Sequence, residues 1–115
     1  MLCLDAKSTV IKLVKLSSGI PQEVRVDVRD VVDNALKYKA VSVVIAHNHP
    51  SGDVSPSVQD VELTRAIAAA LQLIKIKLAD HYIFSDFGYC SFVEDGVGGQ
   101  IQQNVNNFLK DGIKY

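Results

Sequence analysis

Two of the chain's three histidines stand in His47-Asn48-His49, directly after the apolar run Val41–Ala46, and Asp60 follows eleven residues beyond His49. Residues i and i+2 of a strand share a face, so both imidazoles can converge on one ion if the strand stays extended to that point. The intervening Pro50–Pro56 loop is long enough to fold a helix carrying Asp60 back over the strand end. Two neutral imidazoles and one carboxylate, with a further position open to water, suit a catalytic zinc site rather than a closed structural one. Such an ion brings the pKa of a bound water down to about 7 and polarises a carbonyl. The same residues are also compatible with an exposed histidine pair in a turn, with Ser57 and Asp60 serving only as a helix cap.

The elements that must position these groups follow from hydrophobic periodicity. Met1–Asp5 reads as a strand, Lys7-Ser8 as a turn and the β-branched segment Thr9–Leu16 as its hairpin partner. Ser17–Pro21 breaks that strand, and Glu23–Val26 is a candidate third one. Asp27 is a suitable N-cap for a helix whose stripe is Val28, Val31, Val32, Ala35 and Leu36, ending near Lys39. Val41–Ala46 is continuous, β-branched and too short for a helix, which predicts a central strand buried on both faces. Ser57-Val58-Gln59-Asp60 has the form of a capping box opening a second helix with Leu63, Ile67, Ala70, Leu71 and Ile74 inward. Ile76–Ser85 and Tyr89–Val93 read as strands joined at Asp86-Phe87-Gly88. After a glycine-rich break at Glu94–Gly99, Gln100–Asp111 reads as a third amphipathic helix. The order βββαβαββα predicts an α+β (αβα) domain, a mixed and mostly antiparallel sheet flanked by helices.

His47-Asn48-His49-Pro50-Ser51-Gly52-Asp53 with Ser57-Val58-Gln59-Asp60 resembles the JAMM metal-binding motif of the JAB/MPN family, H-x-H, seven residues, then S-x-x-D. The HNHPSGD form is similar to the bacterial RadC-type branch. Leu4-Asp5-Ala6-Lys7, Gly19, Arg29, Ala46 and Asp80-His81 extend the resemblance over roughly residues 1–96. It implies a JAB/MPN-like fold with a cytidine-deaminase-like layout, zinc held by His47, His49 and Asp60, and Ser57 stabilising the oxyanion of a tetrahedral intermediate. It also implies hydrolysis of peptide or isopeptide bonds, as in eukaryotic and archaeal relatives, and a family association with DNA repair.

One part of the family's apparatus is missing from its expected place. The family uses a glutamate on an early strand to move the proton of the attacking water, and a gapless match puts that position at Leu13 or Val14. Glu23 is the sole glutamate upstream of the motif, and it can substitute only if Ser17–Pro21 bends its carboxylate toward the metal. Asp53 can approach the metal or order the loop by accepting backbone amides. His81 is a candidate partner of the ligands or fourth ligand, or else a strand-start histidine bonded to nearby backbone. Without a base, the alternative is a catalytically silent metal-binding accessory or interaction module.

The composition bounds the rest. With 115 residues and 48% hydrophobic content, residues 1–115 make one domain, with 97–115 a C-terminal helical extension beyond the resemblance. Twelve Lys and Arg against 13 Asp and Glu leave a net charge of −1, so no broad basic field supports nucleic-acid binding. No apolar run approaches the ~20 residues of a membrane span, no export signal opens the chain, and Cys3 and Cys90 read as buried reduced thiols, so a cytoplasmic setting is expected. The last helix sets Ile101, Val105, Phe108 and Leu109 against uncharged Gln102, Gln103, Asn106 and Asn107. That pattern predicts docking on its own sheet or exchange with a second copy as a homodimer. The expected ligand is otherwise a protein or peptide substrate.

Overall fold

The computed structural model describes residues 1–16, 26–49 and 52–112. Its elements run β1 (Leu2–Leu4), β2 (Val10–Leu13), α1 (Val28–Lys37), β3 (Ser42–Asn48), α2 (Val58–Leu73), β4 (Lys77–Ser85), β5 (Gly88–Ser91) and α3 (Val97–Gly112). The strands form one sheet in the order β2-β1-β3-β4-β5. Only β3 and β4 are parallel; the other neighbouring pairs are antiparallel. The α+β class and the mixed, mostly antiparallel sheet are therefore as expected. The third strand expected at Glu23–Val26 lies, apart from Val26, outside the described residues.

Local chemistry sets the helix starts. The Asp27 carboxylate accepts the Arg29 amide at 2.9 Å, and Val31 and Ala35 are fully buried one turn apart. Ser57 and Asp60 form the reciprocal capping box of α2: the Asp60 amide donates to Ser57 Oγ at 3.0 Å, and the Ser57 amide donates to Asp60 Oδ2 at 2.8 Å. α3 begins at Val97, earlier than its glycines suggested. The Gly98 amide donates to the Phe92 carbonyl at 2.7 Å, and a Cβ on Gly98 would crowd that carbonyl, so a glycine is suited to this close approach.

The described helices flank the sheet on one face. One buried cluster joins Cys3, Val43 and Ile45 of the strands to Val31 and Ala35 of α1 and Ile67 and Leu71 of α2. A second joins Ile83 and Cys90 to Ala68 of α2 and Ile101 and Val105 of α3. The ladder pairs Cys3 with Val43, His47 with Ile83 and Ile83 with Cys90, so these side chains share a face. The opposite face carries the partly buried Val44 and Tyr82 and the exposed Ala46, Phe84 and Tyr89. This corrects the expectation that Val41–Ala46 is buried on both sides: on its second face Val44 is only partly buried and Ala46 is exposed. Phe108 is exposed as well, so the buried stripe of α3 is Ile101 and Val105. Its amides are partly explained within the chain: Gln102 and Asn106 hydrogen-bond the side chain of Gln72 on α2. Cys3 and Cys90 are buried free thiols, and burial with the Asp95 carboxylate beside it pushes Cys90 up to about 12. No described helix is long and apolar enough to cross a membrane.

Candidate metal centre

β3 delivers its histidines by simple alternation. Val43 and Ile45 point into the core, and His47 follows on the same face at the carboxyl end of the parallel pair, where α/β units place their ligand sites. The His49 amide donates to the Phe84 carbonyl at 2.8 Å, so the extended geometry persists one residue past β3. Asp60 arrives from the first turn of α2, its carboxylate held by the capping box. His47 Nε2 lies 3.0 Å from His49 Nε2 and 3.3 Å from Asp60 Oδ1, and His49 Nε2 lies 3.2 Å from Asp60 Oδ2. Ligands of a tetrahedral zinc ion, each about 2.0–2.1 Å from the metal, stand roughly 3.3–3.4 Å apart. The donor set has the type, number and spacing for such an ion.

The hydrogen-bond network also fixes where the protons are. Thr64 Oγ1 lies 2.6 Å from the Asp60 carbonyl, which can only accept, so the single hydroxyl proton points there. Its contact with His81 Nδ1, also 2.6 Å, must then be donated by the imidazole. His81 is 1% exposed, and burial, with His47 adding to it, brings its pKa down to about 4; it is neutral at pH 7 and its Nε2 is bare. That nitrogen, 2.8 Å from His47 Nδ1, accepts the His47 proton. On the other ligand, His49 Nδ1 lies 2.8 Å from the Asp53 carbonyl and must donate to it.

Both Nε2 atoms are therefore unprotonated and face each other and a carboxylate. Partial burial pushes the Asp60 carboxyl up, but the hydrogen bonds from Ser57 work against it, and the group lies below its usual value. Burial likewise keeps His47 below the ordinary histidine value. Three acceptors converge with no shared donor among them. A proton on one nitrogen satisfies a single neighbour, whereas a divalent cation satisfies all three, so the residues fit a metal. Their side chains are 15–21% exposed, which leaves one side open to solvent.

The other residues singled out in the sequence fall as follows. Ser57 accepts the Asp60 amide on its side-chain oxygen, as the N-cap of α2 one turn before the ligand carboxylate. Asp53 orients His49 through its backbone carbonyl, while its carboxylate accepts the Ser55 amide at 2.9 Å. This bond holds the carboxyl below its usual value. The side chain thus orders the loop. His81 lies beneath His47 as a partner of a ligand, stacked on Phe92 with ring centroids 4.6 Å apart. Glu23 lies outside the described residues. Thr64 was not singled out; its signal is its place one turn after Asp60, on the same side of α2.

A mixed α+β domain with an H-x-H strand end, a capping-box aspartate and a partly exposed donor triangle compatible with a metal ion is a domain of the JAB type. The RadC-like JAB domain model matches residues 1–97, and the chain belongs to that family. The UPF0758 protein of Pelobacter propionicus is 40% identical over 97 residues, covering 84% of this chain and 42% of that protein. Its counterpart in Porphyromonas gingivalis is 39% identical over 98 residues, with 84% and 43% covered. A UPF0758 protein of Acinetobacter baumannii is 43% identical over 94 residues, with 82% and 40% covered. The chain spans about 42% of the length of such relatives.

Proposed function

We propose that the His47–His49–Asp60 triangle holds zinc and that the domain hydrolyses peptide or isopeptide bonds, slowly in its present sequence. The observation behind this reading is the pair of bare imidazole nitrogens fixed opposite the Asp60 carboxylate. When bound there, zinc supplies Lewis-acid activation of water and of the scissile carbonyl. His81 and the Asp53 carbonyl hold the two imidazoles in the metal-binding tautomer. In this reading the Ser57 hydroxyl, one helical turn before Asp60, bonds the oxygen that gains charge during attack. Neither Leu13 nor Val14 can carry the proton from water to the leaving nitrogen. That loss costs about 10²–10⁴-fold in rate.

The same vacancy favours a second reading, in which the site binds peptide without turning it over. Metal analysis and hydrolysis separate the elements. The chain should retain one zinc per molecule, and His47→Ala and Asp60→Ala should not; unchanged stoichiometry in both variants defeats the metal reading. Slow, zinc-dependent cleavage of a lysine isopeptide or a dipeptide supports the hydrolase, and stoichiometric zinc with no cleavage supports the silent module.

A further inference from the structure

Beside the metal triangle lies a cleft of about 360 Å³ lined by Asn48, His49, Gly52, Phe84, Asp86 and Phe87, with Ser85. We propose that this cleft receives the side chain of a lysine or arginine next to the scissile bond, an assignment that rests on the peptide-hydrolase reading above. The position follows from His49, which belongs to both the metal triangle and the cleft wall. A chain lying across the metal face presents a neighbouring side chain to that wall.

The lining decides the chemistry of the occupant. Phe84 and Phe87 offer apolar ring surface, while Asn48, Ser85 and Asp86 are polar, and Asp86 is the one carboxylate among them. An amphipathic lining of this kind matches a side chain with an apolar stem and a cationic head. The rings add attraction for the cation. An acidic side chain would face the Asp86 charge, and a purely aliphatic one would leave the polar groups without partners. The size is at the lower end for ligand pockets, suited to one long side chain rather than to a folded partner.

The wall is also built for close contact. Phe87, at the tip of the β4–β5 hairpin, is 90% exposed, yet a Cβ on Gly52 would stand 3.1 Å from its Cδ2 atom. Gly52 has φ +85°, in the region where side-chain-bearing residues are strained. Glycine here lets the metal-site loop and the hairpin tip approach each other, closing one side of the cleft without filling it.

The test reads binding, so it does not depend on turnover. Amide resonances of the isotopically labelled, zinc-loaded full chain are followed during titration with the N-acetyl methylamides of lysine, norleucine and glutamate. The lysine compound should shift the amides of Asn48, Gly52 and Ser85–Gly88 and bind about five-fold or more tightly than the norleucine compound. Asp86→Asn should erase that preference, and Phe87→Ala should weaken both compounds; both positions are exposed, and spectral dispersion confirms folding. Equal binding of lysine and norleucine, an unaltered preference in Asp86→Asn, shifts confined elsewhere or no binding at all overturns the assignment. Cleavage of isopeptides without this preference removes the pocket and leaves the hydrolase, whereas the preference without cleavage removes the hydrolase and leaves a basic-peptide binding site.

Discussion

The proton between His81 Nε2 and His47 Nδ1, 2.8 Å apart, belongs to His47, because Thr64 and the Asp60 carbonyl have already fixed the proton of His81 on its other nitrogen. The relay therefore starts and ends at metal-site residues: Asp60 supplies the carbonyl that orients Thr64, and His47 receives the consequence. Replacing His81 with phenylalanine preserves an aromatic ring against Phe92 but removes the acceptor, so His47 is free to protonate Nε2 instead. Zinc affinity should fall about 10–100-fold, as for other orienting partners of metal-bound histidine. Thr64→Val should give a smaller loss in the same direction, read by competition against a chromophoric chelator.

His81 also sets a pH dependence of stability in the metal-free chain. Burial brings its pKa in the fold to about 4, below the ordinary value of 6.5, so between these limits the unfolded chain binds more protons than the folded one. Stability from this group is full above pH 6.5 and is lost as pH falls toward 4, with a slope of at most about 1.4 kcal/mol per pH unit. His47, also held low by burial, acts in the same direction. Chemical denaturation across this window should show the loss, with a shallower slope in His81→Phe. A flat profile in the parent chain would mean that His81 takes up its proton in the fold as readily as in the unfolded chain.

The ligand triangle was legible because its signals are local. H-x-H at the end of an apolar run gives the shared face, and the S-x-x-D capping box fixes the carboxylate one helical turn from the loop. The relay behind it depends on the register of distant strands. Val43 pairs with Leu78 but Val44 pairs with Asp80, so Ala79 is an extra residue in β4. Without that shift, Ala46 would face His81, and the imidazole would lie on the uncovered face of the sheet. The layering was hidden for a related reason. A continuous apolar run such as Val41–Ala46 carries no alternation, so it cannot reveal that only one of its faces meets the helices.

Helix α3 should support the monomer's own core. Ile101 and Val105 are 3% and 1% exposed against Ala68 and Ile83, whereas Phe108 is 63% exposed. Ile101→Ala should destabilise the chain by about 2–5 kcal/mol in equilibrium denaturation. Phe108→Ala should cost less than about 0.5 kcal/mol, the range for exposed positions. If α3 instead exchanges between two copies, the denaturation midpoint of the parent chain will rise with protein concentration. Sedimentation then reports a dimer.

Restoring the missing base is the most direct test of the hydrolase. Val14 and Met1 exchange backbone hydrogen bonds at 2.8 Å each way, and Leu2 pairs with Val44. Lys12 lies over the Tyr38 ring at the end of α1, so Lys12 and Val14, two residues apart, point to the face that carries His47. Val14 packs on the cluster containing Ile45, and His47 is the next residue of β3 on that face. A glutamate there stands two strands, roughly 10 Å, from the β3 backbone and level with Ile45, two residues before His47, so its side chain must extend along the sheet toward the metal face. Val14→Glu should raise zinc-dependent hydrolysis by about 10²–10⁴-fold, and Val14→Gln, which has the same shape without the base, should not. Both variants replace a partly buried apolar residue, so their losses in thermal stability should be similar and cannot explain a difference in rate. Equal rates in the two variants would refute position 14 as the base site. If Glu23→Gln then abolishes cleavage by the parent chain, the base belongs to Glu23.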